Sequence, residues 1–130
     1  MYNKIKEIEF KTTVNMVKTM ILPAIAKHIS QTAQASASLQ SIGLSNDILN
    51  QDALKLSSFY QDISFLTSEI EKQLIQAESF DNENEKAFYF VNTVCSSHDK
   101  LRNKVDEAES VVEDSLWPIA KYQDLLSELG

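Results

Sequence analysis

Cys95 and His98 stand three residues apart, the one pairing in this chain from which a thiolate nucleophile and its base could be built. Such chemistry also needs donors for an oxyanion, and no glycine-rich turn lies nearby to supply them. His98 falls instead in a row of apolar residues, so it reads as a seam residue with one hydrogen-bonded nitrogen, and Cys95 as a small apolar filler. The second histidine, His28, adds no zinc-ligand spacing, and no Glu-x-x-His pair of the di-iron kind occurs. Asp106, Glu107, Glu109, Glu113 and Asp114 cluster, but along a continuous helix flank without the tight loop that gathers carboxylates around a hard cation. They read as a solvated face, as do Glu69 and Glu71 beside Lys72. There is no glycine-rich phosphate loop, no Ser–His–Asp set and no basic patch with interleaved aromatics. The residue types predict no catalytic, cofactor-binding or metal site.

The apolar spacing is more informative. Ala87, Val91, Val94, His98, Leu101, Val105, Ala108 and Val112 are separated by alternating fours and threes, a heptad seam within residues 85–112. Leu49, Leu56, Ile63, Ile70 and Ala77 repeat every seven, with Ala53, Tyr60, Thr67 and Leu74 at the other heptad position and Phe59 and Leu66 widening the face. Earlier, Ile5, Ile8, Val17, Met20, Ile21, Ile25, Ile29, Thr32 and Leu39 predict a first helix that fades into Ser, Thr, Gln and Ala over residues 30–40. Pro23 sits inside it, which predicts a kink or break near residues 19–23. Gly43 is placed to end this helix, with Ser45 or Asn46 capping the next; Asp81 or Asn82 is placed to cap the third. The expectation is all-α: one domain over residues 1–130, with helices at about 3–40, 47–78 and 84–115 in an antiparallel up-down-up bundle, and a tail at 116–130.

Composition narrows the class. Two glycines and two prolines in 130 residues allow few turns. No apolar run reaches the length of a membrane span, and the lysines at 4, 6 and 11 are mixed with Glu7 and Glu9 without an apolar signal core behind them. A lone cysteine fits a reducing, cytoplasmic setting. The net charge of −7, with one arginine, argues against nucleic acid. Residues 1–30 carry +3 and residues 78–130 carry −7, so the first helix could face the acidic third. Trp117 is the only tryptophan and lies beyond the seam, followed by Pro118. Its large surface must be buried either on this bundle's own end or on a surface outside the chain, and Tyr122, Leu125 and Leu126 share that choice.

Two stretches carry a resemblance. Val17-Lys18-Thr19-Met20-Ile21-Leu22-Pro23-Ala24-Ile25 and Leu116-Trp117-Pro118-Ile119-Ala120-Lys121-Tyr122-Gln123-Asp124-Leu125-Leu126 resemble the carboxy-terminal helical domain of type III glutamine synthetases, in order, separation and placement. Ala120 and Ser127 depart from it, standing where the family has a proline and a phenylalanine. The resemblance implies a parent that joins glutamate and ammonia using ATP and a divalent metal such as magnesium, in a ring-forming oligomer. Its catalytic groups lie in upstream domains, and none has a counterpart here. On this reading the chain is a non-catalytic packing or assembly domain of a larger enzyme. Its partners are then the upstream catalytic domain and neighbouring subunits, with Leu116, Trp117, Pro118, Tyr122, Leu125 and Leu126 as possible contacts. The alternative is a free-standing helical module for interaction or dimerisation.

Overall fold

The computed structural model describes residues 4–112, and these are all-α. They form three rods joined by two short turns. The first rod is α1 (Lys4–Met16), a π-helical turn (Val17–Ile21) and α2 (Leu22–Ser41). The second is the uninterrupted α3 (Asp47–Glu78). The third is α4 (Glu83–Tyr89), a second π turn (Phe90–Val94) and α5 (Cys95–Glu109). Lys18 pairs with Glu71 and Lys11 with Glu78 across the first two rods, and Ser36 with Asn50 nearer the turn. Across these contacts, numbers that rise on one rod fall on the other. Lys104–Asp62 and the Phe80–Tyr89 ring contact relate the second and third rods in the same way.

The first rod stays helical through Pro23, and the irregularity lies just ahead of it. A proline has no N–H to donate and its ring crowds the carbonyl four residues back. Here the Leu22 N–H reaches five residues back, to the Val17 carbonyl, and the wider turn places Pro23 in the first turn of α2.

The apolar face of α1 differs from the sequence expectation. Ile5, Ile8 and Met20 are exposed, and Glu7, Phe10, Thr13, Val14, Met16 and Val17 are buried. The row Glu7, Phe10, Val14, Val17, Ile21 has the same threes and fours as the one read from Ile5 and Ile8, and it brings a phenylalanine into the core. Lys11 and Lys6, mostly exposed, cover the buried Glu7 and Glu9 carboxylates at 3.4 and 3.5 Å.

On the third rod the seam holds from Val94 to Val112 and fails before it. Phe90 is 2% exposed and Val91 53%, the reverse of the heptad reading. The π turn inserts one residue into the helical count, and the Cys95 N–H reaches back five, to Phe90. That rotates the phase, so Phe90 takes the core position. The rod also ends earlier than residue 115, at Glu109. There the Ser110 hydroxyl and amide both bond the Glu107 carbonyl, and the Val111 amide bonds Ala108, which tightens the last turn.

The second rod follows its heptads: Leu56, Ile63, Thr67, Ile70, Leu74 and Ala77 are buried, whereas Tyr60 is exposed. At the first turn Gly43, with φ of 79°, sits in the left-handed region. The Leu44 and Gly43 amides there bond the Leu39 and Gln40 carbonyls, the Schellman pattern. Asn46 occupies the cap position of α3 without capping it; its amide reaches back to Ser36 instead. Asn82 does cap, accepting from the Asn84 and Glu85 amides at 2.8 and 3.0 Å.

Ile63 lies at the centre of the middle rod with no exposed surface, while Phe65 two residues on is 64% exposed. Ile63→Ala is expected to lower the free energy of urea unfolding by about 2–5 kcal/mol. Phe65→Ala, on a surface with no such packing, should change it by less than about 0.5 kcal/mol.

Candidate functional site

The described residue with the most chemical potential is His98, and the structure surrounds it with packing. Its ring stacks on Phe10 with centroids 4.1 Å apart and planes 17° from parallel, and Phe10 stacks in turn on Phe90 at 5.3 Å. The three rings form one column between the first and third rods. His98 Nε2 lies 3.2 Å from the Thr13 hydroxyl. That hydroxyl has one proton and donates it to the Glu9 carbonyl at 3.1 Å, so at His98 it accepts and the imidazole donates. This fixes the neutral tautomer with its proton on Nε2.

Electrostatics agree with that state. Burial pushes the His98 pKa below its ordinary value, against the upward pull of Asp99 and Glu9 and with the help of Arg102 and Lys6. Burial also raises the Cys95 thiol pKa, and Asp99 raises it further despite Lys6. A nucleophilic cysteine needs the opposite shift. His98 spends its hydrogen bond across the bundle on Thr13, and Cys95 stays a half-buried thiol at the rod's edge. His98 is a packing element, as its place in the seam suggests.

The acidic groups are held apart in the same fashion. Asp106 and Glu107 are exposed, Glu109 is half-buried, and Glu107 pairs with Lys104. Glu113 and Asp114 lie outside the described residues. Among the described residues, no three His, Cys, Asp or Glu are grouped to hold a metal ion. Glu69 pairs locally with Lys72, but Glu71 does more than decorate a flank, because it ties α3 to Lys18 of the first rod at 3.1 Å. The basic first rod meets acids of the second rod through Lys11 and Lys18, and it packs on the third through Phe10 and Thr13. Leu116, Trp117, Pro118, Tyr122, Leu125 and Leu126 lie outside the described residues. Among the described residues no helix is long and apolar enough to cross a membrane.

Phe10, Thr13 and Phe90, which make the surroundings of His98, were not marked by the heptad reading. The signal for the first two was available: Phe10, Thr13 and Val17 fall at three- and four-residue steps. Nothing in the residue types announces the π turn that places Phe90.

With this geometry in view, the chain's similarities can be weighed. It is 28% identical, over 131 aligned residues and 96% of its length, to type-3 glutamine synthetase of Dictyostelium discoideum. This chain is related to a segment of type-3 glutamine synthetase. A glutamine synthetase of Bacteroides fragilis (strain YCH46) matches 46 residues, 35% of the chain, at 37% identity. The chain spans only 18% of the Dictyostelium synthetase and 6% of the Bacteroides one. No family model and no solved structure matches.

The buried neutral His98 gives a pH test with a definite sign. Unfolded, the imidazole takes up a proton near 6.5; folded, it does so only at lower pH. The unfolded state therefore binds more protons as pH falls, and this contribution to stability is whole above about 6.5 and shrinks below it. The unfolding free energy of the chain minus that of His98→Gln, measured in urea from pH 7.5 to 5.5, should fall. A difference that is flat or rises with acid would contradict the assignment.

Proposed function

We propose that this chain is a helical, catalytically silent domain of a larger glutamine synthetase-related enzyme, and that it serves packing or assembly of that parent. The observation that carries the reading is the asymmetry of the match: nearly all of this chain against less than a fifth of the relative. In this proposal residues 1–130 are one domain, an up-down-up bundle whose first rod changes direction near Pro23. The parent's activity is ATP-dependent ligation of glutamate and ammonia in the cytoplasm, with a divalent metal such as magnesium. In this scheme ATP and the metal are held by the parent's upstream domains. The partners are the upstream catalytic domain and neighbouring subunits, with no role for nucleic acid. Leu116, Trp117, Pro118, Tyr122, Leu125 and Leu126 are contact residues in this scheme, received either by this chain's own bundle or by a partner.

A second reading, a free-standing interaction or dimerisation module, draws on a specific feature. Ile5, Ile8, Phe88 and Val91 are exposed apolar side chains near the starts of the first and third rods.

The natural open reading frame separates the two: a ligase domain encoded upstream is expected, and a gene beginning at Met1 without one would sink the first reading. In the parent, deleting residues 1–130 should lower the sedimentation coefficient of the oligomer while nucleotide binding per catalytic domain persists. Loss of nucleotide binding with the oligomer intact would contradict an assembly role.

A further inference from the structure

The first two rods carry rows of opposite charge at matched heights on either side of a groove. Lys11 and Lys18 stand seven residues apart on the first rod, and Glu71 and Glu78 seven apart on the second. Lys11 meets Glu78 at 3.5 Å and Lys18 meets Glu71 at 3.1 Å. Between the two ion pairs runs an open groove of about 470 Å³, whose first-rod wall includes Lys11, Val14, Asn15 and Lys18. Val14 is buried at its floor, and among the described residues none of the third rod lines it. Those four residues stand at i, i+3, i+4 and i+7, the spacing of the hole that receives a knob from a facing helix in coiled-coil packing. A knob with matching surroundings stands on the other wall. It is Ile75, with Glu71 four residues before it and Glu78 three after. At 71% exposure it does not fill the hole of its own chain.

A two-fold axis along the groove lays a second copy over the first so that each first rod faces the other's second rod at unchanged height. Ile75 of each copy then enters the hole of the other, while Lys11 and Lys18 meet Glu78 and Glu71 of the second copy. A two-fold axis across the groove instead sets first rod on first rod. It places Lys11 against Lys18 of the second copy, a like-charge contact that opposes association. We propose that two copies of this chain associate through this groove, related by the two-fold axis along it. The match between a knob and a hole on one surface selects a second copy over an unrelated helix. The ion pairs within each chain are exposed and therefore weak, so sharing their charges with a second copy gives up little. This surface does not use the exposed Ile5, Ile8, Phe88 and Val91, and the proposal does not rest on the chain's relation to glutamine synthetase.

Sedimentation equilibrium of the 130-residue chain should show monomer and dimer exchanging with a Kd of about 1 mM or tighter. Ile75→Glu should weaken association by about tenfold or more. Its thermal melt should not move, because the side chain is exposed. The double variants Lys11→Glu/Lys18→Glu and Glu71→Lys/Glu78→Lys should each stay monomeric, and mixing them in equal amounts should restore a dimer. Gln61 lies on the row of sevens through Ser68 and Ile75, all three exposed. Nitroxides on Gln61→Cys in a Cys95→Ser background should lie within about 30 Å of each other in the dimer, being at one height; the axis across the groove would separate them by more than about 40 Å. A chain that stays monomeric at about 1 mM would overturn the proposal. A loss of stability in Ile75→Glu would then point to an occupant from the same chain, and no loss to a different protein. A dimer indifferent to Ile75→Glu, a mixture that stays monomeric, or the longer label distance would overturn it in favour of another surface or another axis.

Discussion

The column of Phe90, Phe10 and His98 is the contact on which the placing of the third rod depends. Ring faces at 4.1 and 5.3 Å hold the first and third rods at one height and one rotation. The Thr13 hydrogen bond then gives the only polar member of the column a single acceptable partner. A column of three rings buries more apolar surface than the valines of an ordinary seam, and it tolerates less displacement. The π turn at Phe90–Val94 belongs to the same constraint, because without the inserted residue Val91 would face inward and the column would lose its end. Glu7 and Glu9, on the same stretch of α1, are consistent with it. They are drawn inward with Phe10 and meet their lysines at the rim.

Much of this was legible in the residues. The second rod could be read almost position by position, because its sevens run unbroken from Leu56 to Ala77 and no proline or widened turn intervenes. Gly43 announced the end of the first rod, and Asn82 the start of the third, since each does a job that few residue types can do. The misreadings have a common cause. Ile5, Ile8 and Val91 were assigned inward by a strict helical count, and hydrophobicity alone does not say which of two interleaved rows wins. On α1 the row with the aromatic residue won, carrying two glutamates inward with it. On the third rod the count itself changed by one. Asn46 failed as a cap for a different reason: a buried serine hydroxyl across the turn offered its amide a better partner.

For the candidate site, the sequence reads His98 as a seam residue with one hydrogen-bonded nitrogen, and the structure packs its ring on Phe10 and gives it the Thr13 hydroxyl. What the sequence lacked was the positive account. A histidine in a seam needs an acceptor, and that acceptor is Thr13, 85 residues away in the chain. No local pattern connects the two. Family relation adds context of another kind, because it concerns a whole of which these residues are a small part.

The turn at Gly43 also orders the chain in time. It brings Ser36 and Asn50, only fourteen positions apart, within hydrogen-bonding distance, whereas the Phe10–Phe90 and Thr13–His98 contacts each close a loop of some eighty. The entropy lost on closing a loop rises with its length, though slowly. Contacts near Gly43, like the Phe80–Tyr89 contact at the second turn, are thus less demanding to form than the ring column. Folding that zips from this hairpin would carry the rods into alignment before the rings meet, so that the long loops are closed by helices already in register rather than by a search of the open chain.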